Sequence, residues 1–156
     1  MNRTTDALGL VPAVALFAIM LLTFSDVVGR KLFGHSITGS VELTELLQVI
    51  MVFAILPATS LLGGHVVFDL LDRVLLERLQ RIVYRLSNGA TGLVFAAAAW
   101  AVSLRAERTL EYGDMTSQYG ITLWPFHYMI AIALLLTALA HGYLAVTGRR
   151  ITLAPR

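Results

Sequence analysis

The chain has 156 residues, of which 57% are hydrophobic and 14% charged, and its mean hydropathy is +0.74. That charged fraction is far below the roughly 25% of an ordinary soluble domain, so the composition predicts a membrane protein and excludes a soluble globular one. The net charge of +2 argues against a nucleic-acid surface, and the absence of cysteine excludes disulfides, iron–sulfur ligation and cysteine nucleophiles.

The first apolar run, residues 7–25, contains no charged residue and is long enough to cross a hydrocarbon core of about 30 Å. A signal peptide would have a shorter apolar region followed by a small-residue cleavage site. Here the run instead leads into Asp26, Arg30 and Lys31. We therefore expect a first membrane span over about 7–28 that stays in the mature protein.

The second span is predicted over about 42–64. Glu42 and Glu45 lie in its first turns, where carboxylates favour the positive end of the helix dipole. Pro57 lies inside the span and is expected to kink it, and either neighbouring helices or the hydroxyl groups of Thr59 and Ser60 are expected to satisfy the carbonyl that the proline ring frees.

An amphipathic helix is predicted over about 66–85, between the second and third spans. Its apolar residues recur at spacings of three and four, which keeps one helical face apolar. They are Phe68, Leu71, Leu75, Leu79, Ile82 and Leu86. A helix of this kind between two spans is expected to lie flat in the membrane interface, and the alternative is a short soluble helical hairpin.

The third span is predicted over about 86–104, where glycines and alanines offer a smooth surface to another helix. A polar loop is expected over 105–120. The fourth span is predicted over about 121–146, opened by Trp124 and Pro125, since proline in a first helical turn loses no hydrogen bond.

Four spans place both termini on one side of the membrane, so the basic residues of each side can be compared. The side of the termini and the amphipathic helix carries Arg3, Arg73, Arg78, Arg81, Arg85, Arg149, Arg150 and Arg156. The other side carries Arg30, Lys31, Arg105 and Arg108. This bias predicts cytoplasmic termini by the positive-inside rule.

Ionisable residues are scarce in the middle of the spans, and this scarcity argues against a stand-alone ion or anion transporter. Asp26 and Arg30 are four residues apart and are expected to pair on one helical face. Glu42 and Glu45 are expected to reach Arg30 or Lys31 across the turn. Two interpretations stay open for this group: an ion-pair network that orients the first two helices, or a docking surface for a partner outside the membrane.

The sequence contains four histidines, and these suggest another possible function, the axial ligation of a b-type haem. His127 and His141 are fourteen residues apart and project from nearly the same face of the fourth span, while His65 and His141 are expected at similar depth. The sequence contains no GxGxxG, P-loop or HExxH motif, so it predicts neither an enzyme nor a cofactor or metal site.

Short motifs follow one another along the chain. They are Asp26-Val27-Val28-Gly29-Arg30-Lys31-Leu32-Phe33, Gly39-Ser40-Val41-Glu42-Leu43, His65-Val66-Val67-Phe68-Asp69 and Trp124-Pro125. Their order and spacing resemble the small membrane subunit of TRAP transporters, the DctQ-like family. The resemblance implies a four-helix subunit that pairs with a large permease subunit and a periplasmic solute-binding protein to import organic acids with a sodium gradient. In that family the large subunit carries the substrate and sodium sites, and the small subunit braces its stationary scaffold.

The resemblance also implies a location in the bacterial inner membrane, contact with membrane lipids and no nucleic-acid partner. The candidate partner-interface residues are Asp26, Arg30, Glu42, Glu45, His65, Asp69, Trp124 and Pro125. The expectation is therefore an all-α, non-catalytic membrane subunit in a single four-span domain. A b-haem-binding anchor of an electron-transfer complex and a small stand-alone oligomeric transporter are its alternatives.

Overall fold

The computed structural model describes residues 3–61 and 77–148. These residues form four α-helices: α1 (Arg3–Leu32), α2 (Ser40–Leu61), α3 (Glu77–Tyr112) and α4 (Trp124–Thr147). Each helix is long and apolar enough to cross a membrane. The predicted fold class, an all-α protein with four membrane-spanning helices, is confirmed.

The predicted amphipathic helix falls largely on residues that the structure does not describe. His65, Phe68, Asp69, Leu71 and Leu75 lie outside the described residues, so a flat interfacial helix stays a prediction. Residues 77–85, its predicted last part, form the first turns of α3 and continue into the third span without a break.

The other end of α3 is longer than the sequence suggested, because the helix continues to Tyr112. The loop predicted to begin at residue 105 is therefore wrong for its first eight residues. This segment is rich in arginine, glutamate, alanine and leucine, which are good helix formers. Tertiary packing also supports it, since Ala106 and Thr109 are completely or almost completely buried.

The helices pack as a row. α3 packs against α4, α4 against α2, and α2 against α1, which gives the spatial order α1–α2–α4–α3. Within the described residues, α1 and α3 make no substantial contact with each other, so the row does not close into a four-helix bundle. An open row leaves more apolar surface outside than a closed bundle of the same helices.

The seam between α3 and α4 is built from small side chains. On α3, the residues that are buried or half-buried in this seam recur at spacings of four and three. These spacings are typical of two helices that cross at a shallow angle. The residues are Asn88, Gly92, Phe95, Ala99, Val102, Ala106 and Thr109. A Cβ atom on Gly92 would lie 3.4 Å from the carbonyl oxygen of Ala138. The two backbones approach closely because this position has no side chain.

Pro57 lies inside α2, as predicted. The Thr59 hydroxyl donates to the carbonyl oxygen of Leu56 at 2.9 Å, and the Ser60 hydroxyl donates to the same atom at 3.0 Å. The carbonyl that the proline ring deprives of its donor is that of Phe53, four residues earlier. A hydroxyl on a helix reaches back only three or four residues, so the predicted compensation by Thr59 and Ser60 is wrong.

Candidate functional site

The two short connections of the chain meet at one end of the molecule, here called the loop end. The Tyr119 hydroxyl donates to the carbonyl oxygen of Thr38 at 2.7 Å. The backbone N–H groups of Gln118 and Tyr119 donate to the two carboxylate oxygens of Glu42, at 2.7 and 3.3 Å. These three hydrogen bonds, here called the clasp, join the α1–α2 connection and the start of α2 to the loop between α3 and α4.

Asp26 shapes the turn between α1 and α2. Its carboxylate is buried and accepts hydrogen bonds from the backbone N–H of Ile37 at 2.8 Å and from the Arg30 guanidinium at 2.6 Å. The predicted ion pair between Asp26 and Arg30 is present. The exposed fraction of the Arg30 side chain is 63% and that of Asp26 is 10%. The carboxylate therefore lies inside the turn, and the guanidinium lies on its outer surface.

Glu42 does not reach Arg30 or Lys31, and that expectation is wrong. It lies in the first turn of α2 and its carboxylate meets two successive N–H groups that the α3–α4 loop presents. Backbone N–H groups satisfy a carboxylate without the entropy cost of ordering a long basic side chain. Glu45 is exposed and, among the described residues, it also makes no ion pair with these two cations.

Gly39 and Tyr119 form the tightest contact at the loop end. Gly39 has a φ of +78°, a conformation that side chains rarely adopt, and a Cβ atom there would overlap the ring of Tyr119. Sequence reasoning did not find this contact. A single sequence holds no signal for a ring that packs on a glycine eighty residues away.

The α3–α4 loop is internally ordered. The N–H of Thr116 donates to the carbonyl oxygen of Ile121 at 2.9 Å, and the N–H of Leu123 donates to that of Asp114 at 3.1 Å. α4 then begins with Trp124 and has Pro125 in its first turn, as the sequence suggested. The loop therefore presents the N–H groups of the clasp from a fixed backbone.

A polar cluster joins α3 and α4 near the opposite end of the molecule. His141 is buried, its Nδ1–H donates to the side-chain oxygen of Asn88 at 2.9 Å, and its ring stacks on Phe95 with centroids 5.8 Å apart. The amide nitrogen of Asn88 donates to the carbonyl oxygen of Tyr84 at 2.9 Å. Sequence reasoning considered His141 only as a haem ligand and missed Asn88.

His127 and His141 do not form a shared iron site. His127 directs Nδ1 to the carbonyl oxygen of Leu123, 3.0 Å away. Fourteen residues of one helix separate it from His141 by about 21 Å along the axis, too far to ligate one iron. His65 lies outside the described residues. The part of the chain that the structure describes contains no group of three or more His, Cys, Asp or Glu side chains able to hold a metal ion.

The family of the chain is decided by a comparison of its sequence with family models. The model for the DctQ component of tripartite ATP-independent periplasmic (TRAP) transporters matches residues 19–150, which is most of the chain. This chain belongs to the DctQ family. The resemblance found in the short motifs is confirmed, and the protein is a multi-pass membrane component of a TRAP transporter.

DctQ is a family of transporter components and not of enzymes. Comparison with curated proteins found no match, and neither did comparison with solved structures. The candidate interface residues therefore have to be judged on geometry. Asp26, Arg30 and Glu42 stabilise the chain's own loop end, whereas Glu45 faces outward and is available to another molecule.

Proposed function

We propose that this DctQ protein braces the large permease subunit of a sodium-coupled TRAP transporter. In this proposal the complex imports an organic acid that a periplasmic solute-binding protein delivers. The chain itself neither binds nor moves the substrate. It enlarges the stationary part of the permease and holds that part at a fixed depth in the bilayer.

The observation that carries the proposal is the open row of four long apolar helices. Large apolar side chains are exposed along α1, α3 and α4, for example Phe17 at 56%, Leu93 at 74% and Leu139 at 62%. A row with two ends offers these faces to lipid and to a partner, while its own contacts fix the order of the helices. This geometry suits a part that widens another protein.

The charge distribution supports a bracing role over transport by this chain alone. Transporter sites lie near the bilayer midplane and use charged side chains or unwound helix ends. In the described spans, Asp26, Glu42 and Glu45 all lie near the loop end. The described centres of the four helices carry no charged side chain, and the hydroxyl group of Thr137 donates to its own helix.

The clasp supports the same role because it ties the two helical pairs together. α1 and α2 form one sequential pair, α3 and α4 the other, and Glu42 connects them through the α3–α4 loop. A lateral force on one pair of helices is therefore transmitted to the other pair. We infer that the loop end faces the periplasm and the termini the cytoplasm, because the basic residues of the sequence favour that orientation in the bacterial inner membrane.

Reconstitution tests the proposal directly. The chain is expressed with its large permease subunit, purified, and placed in vesicles with a sodium gradient, an organic acid and the solute-binding protein. We expect the two membrane proteins to co-purify and uptake to require both. Uptake by this chain alone would contradict the proposal, as would full uptake by the permease without it. A Soret band in the purified chain would instead favour the haem-binding alternative.

The predicted interfacial helix gives a second test. In this proposal the leucines of the helix anchor the brace in the membrane. Replacing Leu71, Leu75 and Leu79 by charged residues then removes apolar surface from the membrane, and the free energy of membrane binding weakens by about 25 cal/mol for each Å² lost. We expect weaker complex assembly and slower uptake at normal protein levels. Unchanged uptake would show that the anchoring role is wrong.

A further inference from the structure

One outward face of α2 carries polar side chains among apolar ones. Its exposed residues recur at spacings of four, three, four and three along the helix. They are Val41, Glu45, Gln48, Val52 and Ile55, here called the α2 stripe. α1 and α4 pack on the other sides of α2, so the stripe is the side of this helix that no described helix covers.

The α2 stripe carries polar groups into the membrane span. Glu45 and Gln48 lie about 8 and 12 Å from Ser40 along the axis, at a rise of 1.5 Å per residue. Within the described ranges, neither side chain makes a hydrogen bond or an ion pair. The exposed faces at the centres of α1 and α3 carry instead large apolar side chains, such as Phe17 and Leu93, which suit lipid tails.

Lipid is a poor environment for the α2 stripe. Ionisable side chains inside a span are costly and pair with other groups, and a short glutamate side chain cannot extend to water as a lysine or arginine does. Glutamine and similar side chains hydrogen-bond across helices in membranes. Spacings of four and three keep these residues on one helical face. The chemistry of the stripe therefore favours a second helix over lipid tails.

We propose that the α2 stripe docks a membrane-spanning helix of the large permease subunit, and that this helix places a cationic or amide hydrogen-bond donor opposite Glu45 and Gln48. The inference rests on the proposed function, which supplies the partner. A second copy of this chain is a weaker occupant, because a two-fold contact through the stripe would bring like carboxylates together.

Photocrosslinking identifies what covers the stripe. A photoreactive amino acid is placed at Val52, and at Val94 of α3 as a matched control, since both are exposed valines inside predicted spans, at 41% and 68%. Each variant is expressed with the large permease subunit and irradiated in membranes. We expect a crosslink to the permease from position 52 and none from position 94. A crosslink from 94 alone, or from 52 to a second copy of this chain, would overturn the proposal.

Charge reversal tests the proposed donor. Glu45→Lys places a cation opposite the proposed donor of the permease, and we expect co-purification with the permease to fall by about tenfold or more. We expect a smaller loss from Glu45→Gln, which removes the charge without reversing it. Glu107→Lys is the matched control, because Glu107 is an exposed glutamate of α3 on the same side of the molecule. Membrane levels of each variant are measured in parallel.

The two proposals fail in different ways. If the unmodified chain does not co-purify with the permease, the proposed function is wrong. If it co-purifies, while Glu45→Lys binds equally well and position 52 gives no crosslink to the permease, the bracing function stands and the docking face is wrong.

Discussion

The loop end and the α3–α4 seam hold parts of the molecule together by different means. At the loop end, directed hydrogen bonds from backbone N–H groups to Glu42 fix two connections side by side. In the seam, the two backbones lie so close at Gly92 that an added Cβ atom would already be in van der Waals contact with α4. The difference follows from the surroundings, because lipid tails are as apolar as leucine and leave close packing as the main source of attraction inside the bilayer.

The two regions tolerate different changes. A larger side chain destabilises the seam, because the stability of the seam comes from close packing. Removing a hydrogen-bond acceptor from the seam has a smaller effect on its stability. At the loop end the reverse holds, except where a glycine is needed for its backbone conformation. Each of the following predictions tests one side of this distinction.

The largest effect is expected in the seam from Gly92→Leu. A Cβ atom at this position already lies 3.4 to 3.5 Å from α4 atoms, so a leucine forces the helices apart. Overpacking of this kind costs about 1–3 kcal/mol. The measurement is the free energy of unfolding in mixed detergent, followed by loss of helical circular dichroism.

Gly89→Leu is the control for the seam. Gly89 belongs to the same helix, and a Cβ atom there meets nothing within 4 Å. We expect its free energy of unfolding to stay close to that of the unmodified chain. Equal destabilisation by both variants would mean that loss of glycine in α3, and not close packing, sets the effect.

An effect of similar size is expected at the loop end from Gly39→Ala. The positive φ of Gly39 costs an alanine about 1–2 kcal/mol, and the new methyl group also meets the ring of Tyr119. Gly34→Ala provides the control, because Gly34 has a φ of +72° but a Cβ atom there meets nothing within 4 Å. The difference between the two free energies of unfolding measures the tyrosine contact. No difference would show that the ring moves aside freely.

Glu42→Gln should act locally at the clasp. Glutamine keeps the shape of the side chain but has no negative charge and only one acceptor oxygen, so the N–H that meets the second carboxylate oxygen loses its acceptor there. We expect faster amide hydrogen exchange at Gln118 and Tyr119 with little change in overall unfolding. Glu45→Gln, three residues along the same helix, should leave the exchange of both amides unchanged. Equally slow exchange in Glu42→Gln would argue that the loop is held by its own hydrogen bonds.

How far the sequence predicts this molecule depends on the range of each interaction. Asp26 and Arg30 are four residues apart, so their pairing follows from helix geometry alone. The four spans follow from uninterrupted apolar runs. The partners of Glu42 lie 76 and 77 residues away and are backbone groups, which carry no side-chain signal. Its true partners were therefore beyond reach of the sequence.

The order of the helices was also beyond the sequence. α1 and α3 both carry small residues at helical spacing, so pattern alone does not say which helix packs on which. The outer end of α3 was missed because its charges suggested a loop, whereas burial of Ala106 and Thr109 continues the seam to the last turns. Charge predicts exposure of one helical face, and says nothing about the face that packs.

The smallest effect is expected from the polar cluster inside the seam. Asn88 accepts a hydrogen bond from His141 across two helices, and such bonds in membrane proteins contribute about 0.6 kcal/mol on average. The double-mutant cycle of Asn88→Ala and His141→Ala isolates this coupling from the packing that each change removes. We expect a coupling near that value in the free energy of unfolding, well below the effect of Gly92→Leu. A coupling above that of the seam variant would reverse the comparison, since polar contacts would then outweigh close packing inside the bilayer as well as at the loop end.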